Sequence, residues 1–263
     1  MKKLDNKKII LLVVLILAIA LVIFLAIKQS SKKKDGKLAN DEETKIAETA
    51  TVDYITKLTY GQGTAYNGLD LLYNRDSVTY DDLTIGNILT TAFEYAINNS
   101  ESEVSNTVIN ALKNDGFDTD NMTIISGSSI RNAIKKIFGV DFDNKDYSAG
   151  INYKFQYFYN SEFDVYLRST TELAVNTDNT YLLYKIIKTT TSNNKLNTEI
   201  AVAYVYNYNN KYYFTKDANN KEKVYESDKL ELQEDKLNEF EHFTITLKKV
   251  NDDYVFEKIS KNK

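Results

Sequence analysis

The chain has 263 residues, with 33 Lys and Arg against 37 Asp and Glu, one His and no Cys, Pro or Trp. One histidine and no thiol exclude the nitrogen and sulfur ligand sets of zinc and most transition metals, and any disulfide framework. The first 40 residues hold nine of the basic and two of the acidic side chains, which leaves 24 basic against 35 acidic beyond them. A net charge of −11 there is a poor match for nucleic acid or an anionic lipid surface.

Ile9 to Ile27 is a run of nineteen residues without a polar side chain. At about 1.5 Å per residue it crosses a hydrocarbon core of roughly 30 Å. The run passes from Leu25-Ala26-Ile27 straight into Lys28 with no small-x-small cleavage site, so it reads as a retained transmembrane helix rather than a removed leader. Lysines crowd both ends, so their count does not orient the span. A short tail with Lys2, Lys3, Lys7 and Lys8 stays inside, whereas long domains cross largely regardless of charge. The expected layout is therefore a cytoplasmic tail over 1–8, a transmembrane helix over 9–27, a flexible stalk over 28–40 and an extracytoplasmic domain over 41–263. That localisation is a cell membrane crossed once, with the N-terminus inside. The absence of cysteine fits an exported protein.

The stalk, "KQSSKKKDGKLANDEE", leads into a first helix that starts at Asn40 or Asp41. Asp41, Glu42 and Glu43 lie in its favourable first turn, Ala47, Ala50, Tyr54, Ile55 and Leu58 face inward, and it stops near Gly61. After a loop, "YGQGTAYNG", the pair Thr79 and Asp82 reads as a capping box for a second helix. Its stripe is Ile85, Ile88, Leu89, Ala92, Phe93, Ala96 and Ile97. A third helix is expected over 103–114 with Gly116 as its stop, then an extended "MTII", then a fourth helix on Ile130, Ala133, Ile134, Ile137 and Phe138 that ends at Gly139.

From Ile151 the period changes from 3.6 to 2. "INYKFQYFY", "FDVYL", "YLLYKIIKTTT", "TEIAVAYVYNY", "KYYFTK", "HFTITLKKV" and "YVFEKI" read as antiparallel strands, with a short helix within "SDKLELQEDKLNEF". The similar stretches at 208–216 and 250–258 read as hairpin turns entering aromatic strands. The fold class is α+β, with a helical half over 41–140 and a sheet half of about six or seven strands over 151–263. From Ile200 onward neither face of "TEIAVAYVYNY" carries charge, so it is expected to be a central strand. Its small residues Ala201 and Ala203 are expected to lie beneath the helices. The opposite face would then offer Tyr204, Tyr206 and Tyr208 as a shallow aromatic groove for a peptide or glycan.

Few other residues point to chemistry. "DFDNKDYSAG" begins with carboxylates at positions one and three, but Lys145, Asp146 and Asn152 stand where a calcium loop of the EF-hand type needs a ligand, a glycine and a closing glutamate. His242 is the one histidine base, beside Glu239 and Glu241, and reads as a surface residue. "SGSS" places Ser126 and Ser128 at a helix N-terminus, where capping competes with anion binding. No phosphate or dinucleotide fingerprint occurs, so no cofactor, metal or catalytic residue is assigned.

From "KKIILLVV" through "SSIRNAIKKIFGVDF" to "FTITLKKVNDDYVFEKIS", the chain resembles uncharacterised single-pass membrane-anchored extracytoplasmic proteins of AT-rich Gram-positive bacteria. The resemblance implies an extracytoplasmic domain on a signal anchor and brings no activity with it. The closing hairpin is similar to curved-sheet domains of the NTF2-like or cystatin-like kind. The expected function is a non-enzymatic, membrane-tethered binding domain whose partner is an envelope protein or a cell-wall glycan. The alternative is an envelope enzyme that uses a carboxylate pair on glycans, which a buried close pair of Asp or Glu in a deep cleft would favour. A sensor is a third reading, but an eight-residue tail is too short to signal by itself.

Overall fold

The structure is a computed structural model that describes residues 36–58, 76–101, 104–143, 150–151, 155–169, 180–216 and 222–262. The chain divides into two compact units, Met1–Lys37 and Leu38–Lys263, and the helices and sheets named in this section belong to the second. Among the described residues no helix is long and apolar enough to cross a membrane, and the run from Ile9 to Ile27 lies outside them.

The first helix, α1, is Asp41–Leu58, as its acidic first turn suggests. Asn40 and Glu43 cap it reciprocally: the Asn40 side chain accepts from the Glu43 N–H at 2.9 Å, and Glu43 accepts from the Asn40 N–H at 3.1 Å. Thr79 and Asp82 also form a capping box, but it opens only a 3₁₀ turn, Tyr80–Asp82, that follows the short strand β1, Ser77–Thr79. The long helix restarts one turn later under a second box, Thr84 and Asn87, and α2 is Ile85–Asn98. Val78 and Tyr80 pack into the main core, and the helix proper starts at the second box rather than at the one the sequence suggests. α3 is Asn106–Asn114, capped by Ser105, with Gly116 at φ 92° beyond its end. "MTII" is a true strand, β2, Met122–Ser126. α4, Gly127–Phe138, starts on the Ser126 cap and ends at Gly139 in the left-handed conformation.

The remaining strands are β3, Gly150–Ile151; β4, Gln156–Asn160; β5, Val165–Ser169; β6, Thr180–Ser192; β7, Lys195–Tyr208; β8, Lys211–Thr215; β9, Lys223–Ser227; β10, Glu241–Val250; and β11, Asp253–Lys261. The stretch 227–240 contributes a 3₁₀ segment, Glu234–Glu239. The fold is α+β with a large antiparallel sheet, but the strands do not make one sheet. The larger runs β6-β7-β10-β11-β1, and β8 and β9 extend it beyond the C-terminal half of β7. A smaller sheet runs β2-β5-β4-β3. Its strand β2 comes from between two helices, a long-range pairing that local periodicity does not encode.

Three hairpins join the larger sheet. Asn193 and Asn194, and then Asn209 and Asn210, adopt positive φ at consecutive turn positions, and Asn251 does so between β10 and β11. Asparagine tolerates the left-handed region, and paired left-handed residues match the twist of two-residue hairpins. The second and third of these turns are the two similar stretches of sequence.

The elements stack in layers. α3 and its Leu112 cover one face of the small sheet through Val165 and Leu167. Tyr157, Tyr166 and Ile125 on the other face meet α2 and α4 in the main core. That core closes below on the large sheet through Leu196, Ile200, Val202, Phe243, Ile245, Leu247, Phe256 and Ile259. The far face of the sheet buries Ala201, Ala203, Val205 and Phe214 against Leu232, Leu237 and Phe240 of the 3₁₀ segment and its flanks. The expectation that helices cover the alanine face is therefore corrected. Ile200 and Val202, from the tyrosine side of β7, lie under the helices, and the small alanines admit the close approach of the 3₁₀ segment instead.

One charged pair joins the small sheet to α2. Arg168 Nη1 donates to Glu94 Oε1 at 2.6 Å, with side-chain exposures of 11% and 24%. The guanidinium carbon lies 4.6 Å from the Phe155 ring centroid and 5.3 Å from that of Phe93. Beside it the Tyr157 hydroxyl and Thr90 share a hydrogen bond of 2.7 Å, and burial pushes the Tyr157 phenol up to about 12. The folded state keeps that proton where an unfolded tyrosine has lost it, so stability contributed by Tyr157 is present below pH 10 and is lost as pH rises toward about 12. Glu94→Ala leaves the Arg168 charge without its carboxylate and is expected to cost about 3 kcal/mol in urea unfolding. Replacement of both residues by apolar side chains of similar size is expected to recover most of that loss.

Candidate functional site

Glu42, Lys45, Ile46, Thr49 and Ala50 recur at three- and four-residue spacing and so share one face of α1. This face looks across a groove to Lys136 and Ile137 of α4, with Tyr95 of α2 and Tyr254 of β11 completing the wall. α1 and α4 each pack on α2 and leave between them a cavity of about 300 Å³. Ile46, Ala50 and Tyr95 are half-buried and pack on the main core, and Ile137 belongs to it. Hence the floor is apolar and fixed by the same contacts that hold the helices together.

The polar groups stand at the rim. Tyr254 Oη donates to Glu43 Oε1 at 3.3 Å, and burial together with that carboxylate raises the phenol above its ordinary range. Lys136 pairs with Asp253. Glu42 is the one carboxylate in the lining, so the lining holds no carboxylate pair. The sequence signal for this site was the α1 stripe itself, and Ile46 was the residue that the reading of a buried face passed over.

The sequence-based candidates lie elsewhere. Tyr204, Tyr206 and Tyr208 do share a face of β7, and they grade from core to solvent: Tyr204 is 5% exposed, Tyr206 half-buried and Tyr208 62% exposed. Tyr206 stacks on Tyr213 of β8, with ring centroids 5.0 Å apart and planes 11° from parallel. Lys223 Nζ lies 5.5 Å from the Tyr213 centroid. One face of the Tyr206 ring is turned to Tyr213, whose ring also meets that ammonium, and Tyr208 is the most exposed of the three rings on β7.

His242 is not a free surface base. Its Nδ1 is 2.9 Å from Glu199 Oε1 and its Nε2 is 3.0 Å from the Leu237 carbonyl oxygen, so neither nitrogen faces a nucleophile. Ser126 caps α4 by accepting from the Ser129 N–H at 3.1 Å. The same helix start receives an internal anion. Asp164 accepts the Gly127 N–H on its carbonyl at 2.6 Å, and its carboxylate forms a fork with Arg131 at 2.9 and 2.8 Å. A Cβ on Gly127 would sit 2.0 Å from Asp164 Oδ1, which is why this position takes glycine. Asp141 pairs with Lys135 at 2.7 Å, and the rest of its loop, 144–149, lies outside the described residues. Among the described residues no group of three or more His, Cys, Asp or Glu is placed to hold a metal.

No family model matches the chain, and no curated protein or solved structure is similar to it.

Truncation separates the tyrosines by burial. Tyr204→Ser is expected to lose about 3 kcal/mol in urea unfolding, whereas Tyr208→Ser is expected to shift stability by no more than about 0.5 kcal/mol.

Proposed function

We propose that the chain is a membrane-tethered extracytoplasmic binding domain whose partner is another envelope protein. The observation that carries this reading is the apolar cavity between α1, α2 and α4, whose lining holds a single carboxylate, Glu42. A cavity of about 300 Å³ with aromatic and aliphatic walls accepts one or two apolar side chains as an anchor, the arrangement that concentrates binding energy at protein interfaces. Beyond residue 40 the 35 acidic side chains outnumber the 24 basic ones, which suits a partner whose anchor is flanked by lysine or arginine. A cell-wall glycan fits less well, because it offers no apolar anchor and one face of the Tyr206 ring is turned to Tyr213.

The enzyme reading has less support. The partly buried carboxylates Glu94, Asp164, Glu199 and Glu257 are each held by a cation, and none of them lines the cavity. The tether rests on the run from Ile9 to Ile27, with its short lysine-bearing tail inside. The likeness to NTF2-like or cystatin-like curved sheets stays a proposal about ancestry and adds nothing to the reading of the site.

Two measurements test the reading. Protease added to intact protoplasts is expected to digest the domain beyond Lys28, and protection until lysis would overturn the orientation. A photo-crosslinking residue at Thr49 is expected to trap one discrete envelope protein in living cells. Ala50→Trp, which fills the cavity, is expected to abolish that product while the unfolding free energy in urea stays within about 1 kcal/mol of the parent. An unchanged product in the filled variant would exclude the cavity as the anchor site.

A further inference from the structure

The 3₁₀ segment that covers the alanine face of β7 is tied to the sheet by the Glu234 pair with Lys185 and by the ring of His242. His242 opens β10 directly after this segment and pairs in register with Ala201. Its ring bridges the segment and the sheet, with Nδ1 at 2.9 Å from Glu199 Oε1 and Nε2 at 3.0 Å from the Leu237 carbonyl oxygen. Both partners are acceptors. A backbone carbonyl carries no proton, and the Glu199 carboxyl is ionised: burial pushes it up, but hydrogen bonds from His242 and Lys188 bring it below the usual carboxylate range.

A neutral imidazole has one N–H and can serve only one of two acceptors. The imidazolium has an N–H on each nitrogen and serves both. When one proton is lost, the ring keeps its bond to the charged acceptor, which is the stronger, and the Leu237 carbonyl is left with the Phe240 N–H at 3.3 Å and no bond to the ring.

That carbonyl belongs to the cover itself. Leu232, Leu237 and Phe240 are 6%, 7% and 6% exposed and bury Ala201, Ala203, Val205 and Phe214. The other charged groups around the ring are paired within the protein. Lys188 Nζ of β6 is 3.2 Å from Glu199 Oε2, Lys185 pairs with Glu234, Lys236 with Glu239 at 2.9 Å, and Glu241 with Lys261 of β11. Imidazole is the side-chain type whose charge ordinarily changes between about pH 5 and 8.

We propose that His242 is a proton-operated latch: doubly protonated, it ties the 3₁₀ cover to β7, and on losing one proton it releases Leu237 and loosens the cover over the alanine face. Acid holds the latch closed and rising pH opens it. The proposal is independent of the cavity and of the partner that the cavity takes.

The test uses the full chain in detergent micelles, where a sole histidine makes the ring signals unique. Nitrogen-15 spectra of the ring are expected to show two N–H groups at low pH and one, on Nδ1, at high pH. Over the same titration the amides of Leu232 to Phe240, corrected for intrinsic exchange, are expected to lose protection by about five- to tenfold, the loss of one hydrogen bond. In His242→Gln, which cannot gain a second proton, the protection is expected to become independent of pH. Cover protection that ignores the state of the ring in the unaltered chain overturns the latch, as does a pH dependence that survives in His242→Gln.

Discussion

Everything in the domain is arranged around the need to cover both faces of β7. Its inner segment, Ile200 to Val205, is buried on each side. A strand buried on both faces has to be served by two layers, because an uncovered apolar face of that size draws association or collapse. On one side the layer is helical, with α2 at its centre and α1 and α4 on its flanks. On the other it is a short irregular segment that reaches the sheet only because Ala201 and Ala203 stand where larger side chains would hold it off. The pairing partners follow from the same strand. β6 runs along one edge, while β10 pairs with the N-terminal half of the other edge and β8 with the C-terminal half.

The helical layer has its own second sheet to satisfy, and this is where the buried charge lies. Arg168 projects from the small sheet between two phenylalanine rings to Glu94 on α2, next to the Tyr157 and Thr90 hydroxyls. A hydrocarbon contact at this point would bury apolar area equally well in several registers, whereas a charged hydrogen bond with one partner permits a single docking of sheet against helix. Arg131 and Asp164 play the corresponding part at the other end of the small sheet, where they join β5's entry turn to the start of α4. The two pairs together join the small sheet to α2 and α4, and α2, on which α1 and α4 both pack, holds those two helices apart.

That separation creates the cavity. α2 is the common neighbour of α1 and α4, and the side chains that meet over it, Ile46, Ala50, Tyr95 and Ile137, are too few and too small to close the gap. The floor is rigid because it is part of the main core, while the rim consists of long charged side chains that can rearrange around a partner. A preformed apolar hole with a mobile polar edge is better suited to holding a side chain than to chemistry, which would require fixed groups at the centre.

The sequence by itself determined the helices and strands, their caps and their turns, because those are local. Asn40 with Glu43, Thr84 with Asn87, Gly139, and the asparagine hairpin turns each act within a few residues, and period-2 alternation marks the strands wherever one face is wet. Composition likewise excluded disulfides and the nitrogen and sulfur ligand sets of zinc and most transition metals, and the run from Ile9 to Ile27 is the basis of the proposed tether. Only the tertiary structure decided that the strands form two sheets, that β2 joins the smaller one from between two helices, and that helices cover Ile200 and Val202 rather than the alanines. From Ile200 onward both faces of β7 are free of charge, so alternation could not say which was which. The answer depends on the volumes of elements dozens of residues away. The cavity, the Arg168 docking pair and the bridged His242 share that origin. Each joins groups far apart in sequence, where the local pattern carries no information about distance.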